Sequence, residues 1–430
     1  MKTRLLLLSL AIALPCWSQT APALTTAPPG LTLVQALTAA RDNSDVAISR
    51  QALAGARADV LAADHAPAPV LTTKASQMDL QHGLGGGNVW SAKRIDKSIG
   101  VDWTWERGGK RALRTQAAQR AADAAQADVE DTQTQQLQAT VSAYYDLLAA
   151  QERLAQTREI EGGMAELGRM AGVRVQAGDL AAQDAERTRI EAERAHTDTE
   201  AAVLARQQAA MALAQIIARS AAGQGLTACD CDWPRRVEPP APVPGVGNDL
   251  GALAEGRADV RAALARVQSA EAALANAQAL RKADVTVGAS YDHYPGVSTR
   301  LLELRASVPL NWGYRFEGEI GRAQAELNQA QELLDKTRRL ALLDLQSLQQ
   351  TAASTAARAQ SYESGILPRA RQVAQSAELA YRKGAISLTD LLDARRTLRA
   401  TVLDAIGARA DYAKARGNWL LRTQPQTLLP

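Results

Sequence analysis

The sequence predicts a mainly α fold with β strands: long antiparallel coiled-coil helices and two strand hairpins, laid out as a two-fold internal repeat. Aromatic residues make up only 4% of the chain and Phe occurs once, although 46% of residues are hydrophobic. The apolar content is therefore Ala, Leu and Val, which suits long helices packed closely together. Proline is absent between Pro69 and Pro234 and between Pro309 and Pro368, and such gaps permit very long helices. In each half the hydrophobic period also switches locally from helical to two, the mark of half-buried strands.

Charge and hydropathy exclude several classes. With 49 Lys+Arg against 46 Asp+Glu, net +3, the chain is neither a strongly basic nucleic-acid binder nor an acidic tail protein. The mean hydropathy is −0.21, and no apolar run approaches the roughly 18–20 residues of a spanning helix. A helical membrane protein is excluded, whereas a β-barrel, whose strands leave a weak trace, is not.

Taken in order, Met1-Lys2-Thr3-Arg4 followed by Leu5 to Pro15 is a basic region and a short apolar stretch, the pattern of a secretory signal over 1–18. Cleavage fits after Ser18, and also after Ala21 or Ala23. Lipid anchoring at Cys16 is disfavoured by the preceding Leu14-Pro15. A Pro-rich segment, 19–32, leads to a first repeat over 33–222: a helix, a hairpin at about 70–106, a long helix, a tip at 174–184 and a returning helix. The Cys/Pro-rich stretch 223–247, crowded with prolines from Pro234 to Pro244, reads as an extended linker. The second repeat, 248–420, has its hairpin at about 284–310 and its tip at 381–393, and 421–430 is a tail.

The repeat is faint but its landmarks agree. Asp45-Val46 falls on Asp259-Val260 and Ala75-Ser76 on Ala289-Ser290 at an offset of 214, while Gly178 falls on Gly384 and Asp184 on Asp390 at 206. The first half thus carries eight extra residues, which the Gly-rich loop His82 to Asn88 accommodates.

Strict alternation marks Ile99 to Glu106, Val285 to Tyr291 and Leu302 to Val308, with Val70 to Gln81 a less regular partner. Half of the sixteen aromatics (Trp90, Trp103, Trp105, Tyr291, Tyr294, Trp312, Tyr314, Phe316) lie in or beside these hairpins, as in the girdles of membrane barrels or in a soluble hairpin cap. Two hairpins give four strands, too few to close a barrel when the smallest have about eight, so subunits would have to pool strands. The uninterrupted stretch from Gly108 to about Val175 would form a helix roughly 100 Å long. In it Leu137, Val141, Tyr144 and Leu148 follow a coiled-coil rhythm.

These segments resemble the TolC-type outer-membrane efflux proteins, and within them the heavy-metal (CzcC-like) branch. The resemblance is carried by Glu106-Arg107-Gly108-Gly109-Lys110-Arg111-Ala112-Leu113-Arg114, by Val308 to Gly313 leading into Gly318 to Ala323, and by the turns Gly178 to Asp184 and Tyr381 to Ala394. It implies a homotrimer with four strands from each subunit in one 12-stranded outer-membrane β-barrel, continued across the periplasm by an α-helical barrel. It also implies a periplasmic adaptor (membrane fusion) protein and an inner-membrane pump of the RND type as partners.

No catalytic arrangement and no cofactor motif is present, and His65, His82, His196 and His293 lack metal-ligand spacing and read as surface residues. Gly109-Lys110-Arg111 lacks the first glycine and the trailing Ser or Thr of a phosphate loop. Asp390 and Asp393 share one helical face. They are a solvated face or, by the resemblance, luminal acidic rings that attract cations at the entrance. The resemblance likewise makes Tyr381 and Asp184 an aperture latch, although Ile386 stands where the family's best-known member has an arginine. Gly178 and Gly384 suit left-handed turns, and Leu180 and Leu388 beside them are either helix caps or exposed adaptor-docking tips. Cys229-Asp230-Cys231 allows a disulfide, a thiolate metal site or two incidental cysteines. The function that follows is an exit duct of a tripartite efflux pump for divalent heavy-metal cations. The alternatives are a drug or type I secretion duct of the same fold, or a periplasmic coiled-coil adaptor or scaffold.

Overall fold

The computed structural model describes residues 30–78, 81–88, 94–218, 225–240, 249–295 and 297–428. The signal, Cys16, most of the Pro-rich N-terminal segment and Trp90 lie outside these residues. Helix α1 (Leu33–Ala40) opens on a capping box between Thr32 and Gln35, and α2 (Ser44–Ala63) is capped by the Asn43 side chain. Strands β1 (Val70–Ser76) and β2 (Asp96–Trp105) precede α3 (Lys110–Gln176), which turns into α4 (Ala182–Ile216). The second half repeats the plan with α5 (Leu250–Glu255), α6 (Ala258–Ala279), β3 (Val285–Tyr294), β4 (Ser298–Ser307), α7 (Glu317–Ser361), α8 (Leu367–Arg382) and α9 (Leu388–Thr423). Among the described residues no helix is long and apolar enough to cross a membrane.

Helix α3, 67 residues long, is the spine, with α2, α4, α6 and α9 all packed against it. The coiled-coil positions are its buried seam: Leu137 is 7% exposed, and Val141, Tyr144 and Leu148 are 0% exposed. Its counterpart, α7 continued by α8, is joined through a π turn at Tyr362–Ile366, where the Leu367 N–H donates to the Tyr362 carbonyl. Pro368 follows directly. Its ring would crowd the carbonyl four residues back in a regular helix, and the wider turn relieves that contact without ending the helix.

The two hairpins form one antiparallel sheet in the order β1-β2-β3-β4, because β2 pairs with β3 from Lys97↔His293 to Trp105↔Val285. The length difference between the repeats is split. The first hairpin's connection, 77–95, is much longer than its counterpart at 295–297, and the second half recovers part of this in 308–316, before α7.

The stretch read as an extended linker is partly docked. Leu31 pairs with Ala228 beside it, and the Gln151 amide satisfies both the N–H (2.8 Å) and the carbonyl (3.1 Å) of Ala228. The Tyr144 hydroxyl donates to the Asp232 carboxylate (2.5 Å) and accepts from the Cys229 N–H (3.2 Å). Trp233, 8% exposed, closes the main core, with the Arg409 guanidinium 4.6 Å from its ring centroid. This segment satisfies its polar groups partly on α3, partly on the Leu31 backbone and partly in a short turn at Asp230–Asp232. The Cys229 and Cys231 sulfurs lie 2.20 Å apart.

Candidate functional site at the helical tips and strand face

The strand-to-helix motif has a local reason. The Lys110 ammonium, 8% exposed, donates to the Lys282 carbonyl and the Asp284 carboxylate, both at 2.8 Å. Arg114 grips Glu106 with two bonds of 2.7 and 3.1 Å. The first turn of α3 is thereby fastened to the strand ends of both repeats.

At the far end, α3 and α8 finish in the same way. The Gly178 N–H donates to the Val175 carbonyl (3.0 Å) and the Asp179 N–H to the Arg174 carbonyl (2.8 Å). Gly384 and Ala385 repeat the pattern onto Tyr381 (2.9 Å) and Ala380 (2.8 Å). This closing motif needs a left-handed residue just past the helix, and Gly178 (φ 82°) and Gly384 (φ 71°) supply it.

The apolar residues between the turns are core. Leu388 is 6% exposed and packs with Met164, Leu167, Leu391 and Leu392, while Leu180 is half-buried against the same cluster. The expectation of Leu388 as an exposed docking residue is therefore corrected. Ser387 caps α9, and its capping box with Asp390 turns the next side chain, Leu388, inward. Asp390 accepts the Ser387 hydroxyl (2.7 Å) and backbone N–H (3.1 Å), and those bonds hold its carboxyl below the usual carboxylate range. Asp393, also on α9, is exposed.

Tyr381 and Asp184 do not bond to each other within the chain. The Arg174 Nη1 donates to the Tyr381 hydroxyl (2.9 Å), and its guanidinium lies 5.7 Å from the ring centroid. Asp184 instead faces Arg187 at 3.9 Å. Three arginines early in α9 make further ties. Arg395 reaches Glu378 on α8 (2.6 Å), Arg396 reaches Glu191 on α4 (2.6 Å), and Arg399 pairs with Asp198 on α4. Glu191, its side chain 8% exposed, also takes Arg194 at 3.0 Å, and the Arg396 bond is the main reason its carboxyl is held below the usual range. Sequence reading missed these partners. The cluster Arg395-Arg396 with Arg399, just past the tip, is the one signal that could have found them.

On the sheet the register separates two faces. Ser98, Gly100, Asp102, Thr104, Gly288, Ser290, Asp292, Glu303 and Arg305 share one face, and Ile99, Val101, Trp103, Trp105, Val287, Tyr291, Leu302 and Leu304 the other. On the polar face Asp102 receives Thr72 (2.5 Å) and Arg305 (2.6 Å). These apolar side chains are all exposed, with Leu302 at 75% and Leu304 at 78%, which is the pattern of strands that are apolar outward and polar inward in a membrane barrel.

The outer membrane efflux protein family matches residues 36–219 and 250–418. The chain belongs to this family. The protein is thus an outer-membrane efflux channel of the TolC type, a transport duct and not an enzyme. Its long antiparallel helices and single four-stranded antiparallel sheet are the fold of TolC-type channels. It is 24% identical to the cobalt-zinc-cadmium resistance protein CzcC of Cupriavidus metallidurans over 68% of each chain. Among solved structures it resembles a membrane protein from Pseudomonas aeruginosa, with a TM-score of 0.75, 17% identity, and coverage of 91% of this chain and 93% of that one. The Campylobacter jejuni CmeC outer membrane channel gives a TM-score of 0.74 at 14% identity, with 91% and 85% covered.

Proposed function

We propose that this channel is the exit duct of a tripartite pump of the RND type that exports divalent heavy-metal cations, working as a homotrimer with a periplasmic adaptor and an inner-membrane pump. The observation that carries the reading is the 24% identity with a cobalt-zinc-cadmium resistance protein over 68% of both chains. The tip chemistry agrees with it. Asp390 is bonded so as to stay ionised, and threefold repetition of Asp390 and Asp393 would ring the entrance with carboxylates that concentrate cations. The aperture is held by Arg174 on Tyr381 and by the α9 arginines, which take the part left open by Ile386. The adaptor docks on the turns at Gly178 and Gly384, with Leu180 at their rim and the exposed Val173 and Leu379 (each 55%) on the adjoining helix flanks. The test is growth of a strain lacking the gene across graded zinc, cobalt, cadmium, nickel and copper beside a panel of organic drugs and dyes. Sensitivity confined to metals is expected. Sensitivity confined to drugs would reassign the duct to a multidrug pump.

A further inference from the structure

The outward face of the sheet carries a feature that an apolar, lipid-facing surface does not need. Near the strand ends remote from the helices, Lys97 and His293 stand directly opposite each other on β2 and β3, so their side chains are neighbours. Lys97 Nζ and His293 Nε2 are both shut off from solvent and have no hydrogen-bond partner among the described residues. The other ring nitrogen of His293 lies 3.2 Å from the Thr299 carbonyl. A carbonyl only accepts, so Nδ1 carries the proton. Nε2 therefore bonds an oxyanion as the imidazolium, in which it donates a second N–H.

Lys97 and His293 line a cavity of about 740 Å³ whose walls are otherwise chiefly apolar, including Met78, Ile95, Ile99 and Tyr291. Ile95 is 7% exposed at its base, whereas Ile99 (53%) and Tyr291 (50%) open it along the face that lies toward lipid. A buried amine and imidazole without partners are costly to maintain, and an oxyanion between them removes that cost with charge-assisted bonds. A small hydrophilic anion would leave the apolar walls unused. An amphiphile with an anionic phosphate head and hydrocarbon chains uses both parts, and the surrounding leaflet supplies it.

We propose that Lys97 and His293 form a binding site for the phosphate of an anionic membrane lipid, whose acyl chains run along the Ile99–Tyr291 surface. The site is independent of the cargo and rests only on the outward orientation of this face.

The experiment uses the full-length channel, purified in detergent, stripped of lipid and titrated with phosphatidylglycerol, phosphatidylcholine, diacylglycerol or inorganic phosphate, with bound lipid counted by native mass spectrometry. Saturable binding of one phosphatidylglycerol per subunit is expected, with phosphatidylcholine weaker and diacylglycerol absent. Lys97→Gln should weaken phosphatidylglycerol at least tenfold, Lys97→Arg should restore it, and His293→Gln should weaken it severalfold. Should Lys97→Gln fail to assemble, the His293→Gln and Lys97→Arg pair still decides. Equal binding of all lipids, or unchanged affinity in both Gln variants, overturns the proposal. Displacement of the lipid by inorganic phosphate at equal concentration refutes the part of the apolar walls. If the assembled channel takes up no lipid because a neighbouring subunit fills the cavity beside the β1 edge, the proposal fails as well.

Discussion

Removing the Arg396 guanidinium tests the tie between α4 and α9 most directly. It donates to Glu191 at 2.6 Å, a charge-assisted bond of roughly 1.5–3 kcal/mol where both partners are shielded. Here Glu191 is 8% exposed but Arg396 is 54% exposed, and solvent on the arginine side reduces the value. Arg194 at 3.0 Å also remains to neutralise the carboxylate. About 1 kcal/mol per subunit is a fair figure, and about 3 kcal/mol if opening breaks all three copies of a trimer together. At 1.4 kcal/mol per factor of ten, Arg396→Ala should shift the closed-to-open ratio roughly a hundredfold. Single-channel recording in planar bilayers should show a raised open probability. Arg194→Ala, removing the more exposed partner (66%), should do less. The carboxyl of Glu191 is held low in the folded state, so the tie is complete above the ordinary Glu range and is lost as pH falls through the lowered value. Acidification should therefore open the wild type and leave Arg396→Ala much less affected. Unchanged conductance in an intact Arg396→Ala trimer would refute the assignment.

Tyr381→Phe removes the acceptor of Arg174 and keeps the ring beneath its guanidinium, so a smaller conductance rise than in Arg396→Ala is expected. Tyr144→Phe strips the Asp232 carboxylate and the Cys229 N–H of a shared partner in a buried place, which costs about 1–3 kcal/mol, read as a lower unfolding midpoint in denaturant with the spectrum of the native helices unchanged. His196 Nδ1 lies 2.7 Å from Glu161, which raises the imidazole and lowers the carboxyl from their ordinary values. Their α3–α4 contact should thus strengthen above the ordinary Glu range and fade as pH rises through the raised histidine value. His196→Gln should flatten that dependence of Tm on pH, and an identical profile in the variant would remove the pair from the account.

What could be read in advance follows from how local each determinant is. The helix α3 and the alternating strands are written in spacing, and Gly178 and Gly384 announce left-handed turns because other residues meet a steric penalty there. The docked segment at 226–238 was not legible. The pairing of Tyr144 with Asp232 spans 88 positions, and a proline-rich composition states that a stretch is extended without stating what it lies against. Leu388 illustrates a different limit. One residue past a cap its direction depends on the phase of α9, which the capping box fixes. The partners of Glu191 and Tyr381 are likewise matters of helix phase across elements about 205 residues apart.

The band formed by Leu31, residues 226–238 and Tyr144 has a mechanical consequence. It grips α3 partway along and ties both ends of the first repeat to the same level, which makes it a fulcrum. Beyond it, from Tyr144 to Gln176, α3 extends for roughly 48 Å at about 1.5 Å per residue. A lever of that length needs a tilt of only ~5° to carry its end about 4 Å sideways. A tilt about this pivot moves the tips while the sheet, on its other side, stays in place.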